Sequence, residues 1–223
     1  IPYVQVADSR RALAVVGANF FGHPAEAMTM VGITGTNGKT TTTYLLKAIL
    51  EARGEKVGLI GTNQNMIGAE TLPAERTTPE SFELQKLFAR MRNAGCTCVV
   101  MEVSSHALVL DRVYGVHYRA GVFTNLTQDH LDFHKTMEAY CDAKAVLFRN
   151  CDTGIINAAD PWTPRLLKSA SCEVVSYSST GDADIRSEDA VLAVDHVAFT
   201  AVRGEERVPV RINIPGHFMI DNA

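Results

Sequence analysis

No stretch of this 223-residue chain approaches the roughly 18 consecutive apolar residues of a membrane-spanning helix, so no membrane partner is expected. The opening residues, Ile1-Pro2-Tyr3-Val4-Gln5, lack the basic-then-apolar layout of a secretory signal. Internal repeats and low-complexity segments are absent. A basic excess is missing too: 21 Lys and Arg stand against 25 Asp and Glu, a formal net charge of −4, which argues against coating a nucleic-acid backbone. Any polyanionic ligand must therefore be held at a local site. The five cysteines are odd in number, with no second close pair and no adjacent histidine, which disfavours a disulfide scaffold or a zinc site and fits a reducing cytoplasm. Cys96 and Cys98, two apart in an apolar run, are expected on one face as buried structural residues. What the chain has is 46% apolar and 21% charged residues, enough for a sizeable core in one large domain or two small ones.

From Met28 to about Tyr177, apolar runs of strand length alternate with stretches of helical period. The strand candidates are Met30–Thr34, Val57–Gly61, Cys98–Val103, Gly121–Thr124, Gly154–Asn157 and Val174–Tyr177. Leu45, Ala48, Ile49 and Ala52 form one helical stripe; Leu84, Leu87, Phe88 and Met91 form another behind Thr78-Pro79, read as N-cap and first helical residue. The pattern predicts an α/β fold: a mostly parallel P-loop-type sheet with helices on both faces. Beyond Thr180 the texture changes to alternating strands around Gly204-Glu205-Glu206, which predicts a small antiparallel β appendage. Ser9–His23 reads as a helix with Leu13, Val16, Phe20 and Phe21 on its apolar side. The chain reads as cut at both ends.

The sharpest signal is Val31-Gly32-Ile33-Thr34-Gly35-Thr36-Asn37-Gly38-Lys39-Thr40-Thr41. A strand enters a glycine-rich turn, then Lys-Thr, then an amphipathic helix. Glycines let backbone N–H groups converge on phosphate oxygens, and the helix N-terminus adds partial positive charge. In this pattern Lys39 reaches the outer phosphates and the Thr40 hydroxyl ligates magnesium. Ile33 stands where the first glycine of the usual longer loop belongs, leaving a shorter Gly35-x-x-Gly38-Lys39-Thr40.

A nucleotide site needs a carboxylate near the metal, at the end of a neighbouring strand. Glu102 closes the run Cys98–Met101, and a buried strand-end carboxylate needs a metal or a paired cation. His130 and His134 have the i, i+4 spacing of a metal pair, but two surface histidines share it. Lys144 lies on the apolar stripe of Met137–Phe148, with Met137, Tyr140, Cys141 and Leu147 or Phe148. Either it snorkels to the surface, or it is held where desolvation and nearby cations make its neutral amine reactive.

Gly35–Thr41, followed by Glu102-Val103-Ser104-Ser105-His106 and Asn125-Leu126-Thr127-Gln128-Asp129-His130-Leu131-Asp132, resembles the Mur ligase family. Phe20–Pro24 and Leu72–Thr78 bring the resemblance nearest to its MurE branch, which adds the third amino acid to UDP-MurNAc-L-Ala-D-Glu. The resemblance implies residues 1–27 as the tail of an N-terminal UDP-binding domain with its linker, and 28–223 as the central ATP-binding domain, without the C-terminal amino-acid-binding domain. It implies an ATP-dependent ligase of peptidoglycan synthesis working through an acyl phosphate. Gly35, Thr36, Asn37, Gly38, Lys39, Thr40 and Thr41 would bind ATP, with Asn222 at its adenine. Thr40 and Glu102 would hold a first Mg2+, and His130 and Lys144 a second. Lys144 matches the lysine that the family carbamylates, and Lys39, His130 and Lys144 form the implied catalytic set. Thr77, Thr78, Ser104 and Arg112, with Arg76 beside them, match residues that contact the UDP-MurNAc-dipeptide.

The incoming amino acid, meso-diaminopimelate or L-lysine, would be chosen by the missing C-terminal domain. Two positions depart from the pattern. Leu110 replaces a glutamine substrate contact, and Met219 replaces the first asparagine of G-x-F-N-x-x-N, leaving Asn222. A cytoplasmic monomer with little activity in isolation is expected. The alternatives are a folylpolyglutamate synthetase-like ligase, which fits Glu102–His106 and Leu72–Thr78 worse, and a non-catalytic Mur-like partner protein. Intact Lys39, Glu102, His130 and Lys144 argue against the second.

Overall fold

The computed structural model describes residues 3–223, in which the strand–helix alternation assembles into one 11-stranded sheet. Helix α1 (Ser9–Phe20) comes first, capped by the Asp8 carboxylate, which accepts from Arg10 N and Arg11 N. It is followed by β1 (Thr29–Thr34), α2 (Lys39–Ala52), β2 (Val57–Ile60), β3 (Asn65–Ile67), β4 (Glu70–Leu72), α3 (Ser81–Asn93), β5 (Cys98–Glu102) and α4 (Ser105–Val109). Next are β6 (Tyr118–Phe123), α5 (Leu131–His134), α6 (Met137–Ala145), β7 (Cys151–Asn157), α7 (Thr163–Leu167) and β8 (Glu173–Ser178). The described chain closes with β9 (Ile185–Leu192), β10 (Val197–Arg203), β11 (Glu206–Ile212) and α8 (Phe218–Asn222).

Across the sheet the order is β11-β10-β9-β8-β7-β6-β1-β5-β2-β3-β4. Every pairing from β2 through β5, β1, β6, β7 and β8 to β9 is parallel. The two rims are antiparallel, through β9–β10–β11 on one side and β2–β3–β4 on the other. The predicted appendage is therefore hydrogen-bonded to the main sheet. The link 179–184 is too short for a full parallel crossover. Only Tyr177–Ile185 and Ser178–Arg186 pair, so β9 runs on past the C-terminal edge of the sheet.

Side chains alternate across the strands into two cores. Met30, Val99, Met101, Tyr118 and Phe123 pack with α3, α4 and α6 on one face. Val31, Ile33, Val57, Cys98 and Val100 pack with Leu46 and Leu50 of α2 on the other. A third cluster joins β10 and β11 to Met219 and Ile220 of α8. Among the described residues no helix is long and apolar enough to cross a membrane.

Several local expectations are corrected. In α1, Ala14 and Gly17 are buried, whereas Leu13, Val16 and Phe20 are exposed. Gly17 sits so close to α3 that a Cβ there would meet Gln85 Cγ at 3.4 Å and Phe82 Cα at 3.5 Å, so the small residues make the contact. In α2 the sheet-facing positions are Thr43, Leu46, Lys47 and Leu50, leaving Ala48 and Ile49 exposed. The pairs Leu45-Leu46 and Ile49-Leu50 make two registers of the stripe equally apolar, and the sheet takes the other one. Helix α3 starts at Ser81 with Glu80 as N-cap, because the Thr78 hydroxyl is already donated to Glu102 O at 2.8 Å. Cys96 and Cys98 lie in opposite cores, since only Cys98 is in the strand and two-residue alternation does not reach Cys96. Both are buried, and burial pushes the Cys98 thiol up to about 11.

Candidate active site

The parallel strands deliver their C-terminal ends to one edge of the sheet, where β1 gives way to the turn Gly35–Gly38 and then α2. Gly35 has φ +149°, and a Cβ there would lie 1.9 Å from Thr124 Oγ1. Gly38, the N-cap of α2, has φ +87° and would drive a Cβ to 2.2 Å from Asn222 Oδ1. Neither position admits a side chain. The loop after β6 braces the turn: Thr36 N donates to Asn125 O at 2.8 Å, Asn37 N to Asn125 Oδ1 at 3.0 Å, and Thr124 Oγ1 to Asn37 O at 2.6 Å. Thr127 N donates to Thr36 Oγ1 at 3.0 Å. The amides of Lys39, Thr40 and Thr41 at the start of α2 have no helical carbonyl four residues back to serve them, and the Gly38 N-cap brings no capping side chain. That end is electropositive and suited to phosphate.

Two lysines converge on one carbonyl oxygen. Lys39 Nζ donates to Gly35 O at 2.9 Å and Thr36 O at 2.8 Å, and Lys144 Nζ reaches Gly35 O at 2.8 Å. Lys144 is 1% exposed, which removes the snorkelling alternative. Among the described residues it forms no ion pair, and its Nζ sits 4.4 Å from the centre of the Tyr140 ring. Burial first, and Lys39 second, hold its ammonium pKa well below the ordinary lysine value. Burial lowers Lys39 as well.

Tyr140 ties the surrounding groups together. Its hydroxyl is 3.3 Å from Thr36 Oγ1, its ring stacks on His134 at 4.8 Å, and His130 meets it edge-on at 6.1 Å. His130 and His134 part company: α5 is a single turn, His130 precedes it at φ +52°, and His134 turns inward to Ser105 Oγ at 2.8 Å. Burial, with His106, Lys144 and His130 close by, pulls the His134 pKa down to about 4. His130 remains half-exposed, 3.4 Å from Asp129.

Glu102, 1% exposed at the end of β5, accepts from Thr40 Oγ1 at 2.9 Å and Thr62 N at 3.0 Å on one oxygen, and from Thr62 Oγ1 at 2.9 Å on the other. Oxygens on adjacent corners of a magnesium octahedron, with bonds of about 2.0–2.1 Å, stand roughly 2.9 Å apart. The hydrogen-bonded Thr40 and Glu102 oxygens are close enough to take adjacent corners, and a hydroxyl with a carboxylate is donor chemistry that magnesium takes.

The expected substrate residues lie alongside. Thr78 is fully buried between Glu102 O and Ser104 N, the latter donating to its hydroxyl at 3.1 Å. Thr77 Oγ1 is 3.0 Å from Thr62 Oγ1. Arg112 pairs with Glu80 at 2.8 Å and donates to Thr78 O at 3.3 Å. Arg76 is exposed and lines a neighbouring groove of about 410 Å³ with Asn65, Lys86 and Arg90. Leu110 ends α4 and offers only its backbone oxygen to Arg10, at 3.4 Å. Asn222 is buried against Gly38, and its backbone oxygen accepts from Thr42 Oγ1 at 3.1 Å. Met219 is 1% exposed in the α8 core, where an asparagine would need a partner. Sequence reasoning passed over Thr62, Tyr140 and Glu80. The rule that ligand groups follow strand C-termini, applied to β2, points to Thr62.

The profile of the Mur ligase middle domain matches residues 33–223. The 2,6-diaminopimelate ligase 1 of Clostridium acetobutylicum, named as acting on UDP-N-acetylmuramoyl-L-alanyl-D-glutamate, is 50% identical over 99% of this chain. The corresponding ligase of Clostridium botulinum is 47% identical over the same share, and the chain spans 46% of the length of each. Among solved structures, a UDP-N-acetylmuramoyl-L-alanyl-D-glutamate–2,6-diaminopimelate ligase superposes with a TM-score of 0.86 at 28% identity, over 99% of this chain and 48% of that one. Folylpolyglutamate synthetase from Lactobacillus casei reaches a TM-score of 0.74 at 19% identity, over 99% of this chain and 61% of its own, a likeness of fold alone. The chain belongs to the Mur ligase family, of which it carries the middle domain.

Proposed function

We propose that this chain is the central ATP-binding domain of a ligase that joins 2,6-diaminopimelate to UDP-MurNAc-L-Ala-D-Glu. The observation that carries the reading is the convergence at one sheet edge of Lys39 and Lys144 on Gly35, with the Thr40 hydroxyl and the buried Glu102 carboxylate side by side next to them. The names of relatives 47% and 50% identical favour diaminopimelate over L-lysine. Residues 1–27 are assigned to the tail of a preceding domain and its linker, and the same proposal places the protein in the cytoplasm as a monomer.

Lys39 and the first-turn amides of α2 hold the nucleotide phosphates, with Gly35, Thr36, Asn37, Gly38 and Thr41 shaping the loop and Asn222 beside the base. Thr40 and Glu102 would hold a magnesium ion, which would neutralise charge on the transferring phosphoryl group. A substrate carboxylate oxygen attacks the γ-phosphorus, the bond to the bridging oxygen breaks, and ADP leaves with its electron pair. The amine of the amino acid then attacks the acyl carbon, loses a proton and expels phosphate. Thr77, Thr78, Ser104 and Arg112, with Arg76, hold the UDP-sugar peptide so that its carboxylate faces the nucleotide. His130 and Lys144 face a second cation. Depression of the Lys144 pKa favours the neutral amine, the form that adds carbon dioxide to give a carbamate. The amine nitrogen would bond to the carbon of carbon dioxide, one C=O bond would open to a carboxylate oxygen and an N–H proton would leave, giving an oxygen ligand next to Lys39.

The test is the full-length protein with ATP, magnesium and UDP-MurNAc-L-Ala-D-Glu. Diaminopimelate-dependent product, matched mole for mole by ADP and phosphate, is expected. Phosphate release that ignores the peptide substrate would sink the ligase reading, and glutamate addition to a folate would favour the synthetase alternative.

A further inference from the structure

Glu102 is a nearly fully buried carboxylate, and such a group needs donors on both oxygens to hold one orientation. Two of its three side-chain hydrogen bonds come from a single residue, Thr62. The Thr62 amide takes Oε1 at 3.0 Å and its hydroxyl takes Oε2 at 2.9 Å, a two-point grip that fixes the plane of the carboxylate. The approach depends on Gly61, where a Cβ would stand 2.4 Å from Glu102 Oε1. The third bond, from Thr40, lies on the same oxygen as the Thr62 amide.

The hydroxyl of Thr62 has one hydrogen, and Glu102 takes it. Towards Thr77 Oγ1, 3.0 Å away, Thr62 is thus an acceptor, and the Thr77 hydrogen points back at it. Thr77 then offers only lone pairs to anything on its open side. We propose that Thr62 is the positioning residue for Glu102, and that the relay it anchors makes Thr77 a hydrogen-bond acceptor towards its ligand. The group facing Thr77 is accordingly an N–H or O–H of the substrate, a peptide amide or a sugar hydroxyl, and not a phosphate or carboxylate oxygen. The inference rests on the reading above that Thr40 and Glu102 face a divalent cation beside the nucleotide.

The experiment measures ADP affinity of the full-length protein with magnesium and with EDTA, alongside thermal melting. Thr62→Val keeps the β-branched shape and the amide but loses the hydroxyl. Its magnesium-dependent gain in ADP affinity is expected to shrink roughly tenfold to hundredfold, the value of a hydrogen bond to a charged group, while affinity in EDTA is unchanged. Thr62→Ser restores the hydroxyl and should recover the wild-type gain. An unchanged metal gain in folded Thr62→Val overturns the proposal. If that variant fails to fold, loss of the gain in Thr62→Ser overturns it instead. A wild-type protein with no metal gain at all counts against the magnesium reading itself. For Thr77, a substrate analogue N-methylated at the facing amide, or deoxygenated at the facing hydroxyl, should raise KM equally in wild type and Thr77→Val only if Thr77 makes no such contact. A selective penalty in wild type is the result expected.

Discussion

Lys144 stands in the proposed active site at a cost to the fold. Its ammonium is almost fully buried, its one hydrogen bond goes to a carbonyl that Lys39 also uses, and its neighbours push it towards neutrality. A group selected for stability would not sit there. Lys144→Met keeps the unbranched stem and leaves Gly35 O served by Lys39. Calorimetry of the nucleotide-free protein should find it melting about 2–4 °C higher, the shift that ~1 kcal/mol produces in a domain of this size. Ligase turnover of the full-length variant should fall at least ~100-fold, as when a charged active-site group is removed. A variant that melts lower and keeps its turnover would return Lys144 to a structural role. The Gly35 position behaves in the opposite way. Gly35→Ala must adopt φ near +149° and place its methyl 1.9 Å from Thr124 Oγ1 and 3.2 Å from Asn125 N. Melting should show a loss of at least ~2 kcal/mol. Isothermal titration should show nucleotide binding lost with it, because the brace through Asn125 and Thr124 is forced open.

Among the elements, those with a single strong pattern were legible beforehand. Strands β1, β2 and β5 are near-continuous apolar runs that only a sheet covered on both faces buries, and α3 shows one unambiguous stripe in Leu84, Leu87, Phe88 and Met91. The phosphate loop was legible because its chemistry needs glycine and Lys-Thr at set spacings. Where two patterns compete, the fold decides: α2 carries adjacent apolar pairs, and its register is set by the sheet beneath it. Strands β3 and β4 are three residues each, too short to show a period. Thr62 is a polar loop residue with no pattern of its own, and its role emerges only when β5 brings Glu102 alongside. In helix α1 the stripe misleads because Ala14 and Gly17 make the buried contact while Leu13 and Val16 face outward, and only Phe20 and Phe21 of the stripe reach Phe82 of α3. Gly17→Ala gains helix propensity of about 1 kcal/mol and places its methyl 3.4 Å from a flexible glutamine, so denaturant unfolding should find it neutral to stabilising. Gly17→Leu must pry α1 from α3 and should cost ~1–3 kcal/mol. Leu13→Ser, on the exposed side, should move stability by no more than about 0.5 kcal/mol. Equal effects at the two positions would contradict the packing.

In the whole molecule, the candidate site edge is a meeting of loops from β1, β2, β5 and β6, with α8 brought in from the far rim by the overhanging appendage. Strand β1 lies between β5 and β6, so the chain leaves it towards one side and later returns on the other, opening the crevice that carries the phosphate loop. On the proposed reading the net charge of −4 need not repel a polyanionic nucleotide, because Lys39 and the amide end of α2 make that crevice locally positive. Thr77, Ser104 and Arg112 stand on the β5 side of β1, beside Thr62 and Glu80, and ligand sites are found preferentially at domain interfaces. The relatives are about twice as long as this chain, and the proposed function expects a further domain to face this edge. Two-sided burial excludes water from a reactive acyl phosphate, which a one-sided edge cannot do. Residues 1–223 expressed alone should therefore bind magnesium-ADP at least ~10-fold more weakly than the full-length protein and form no diaminopimelate-dependent product, because one-sided contact forfeits part of the binding area. Titration calorimetry and coupled phosphate release on the two proteins side by side check this. Ligase turnover from the 223 residues at the full-length rate would show that the single edge closes the reaction by itself.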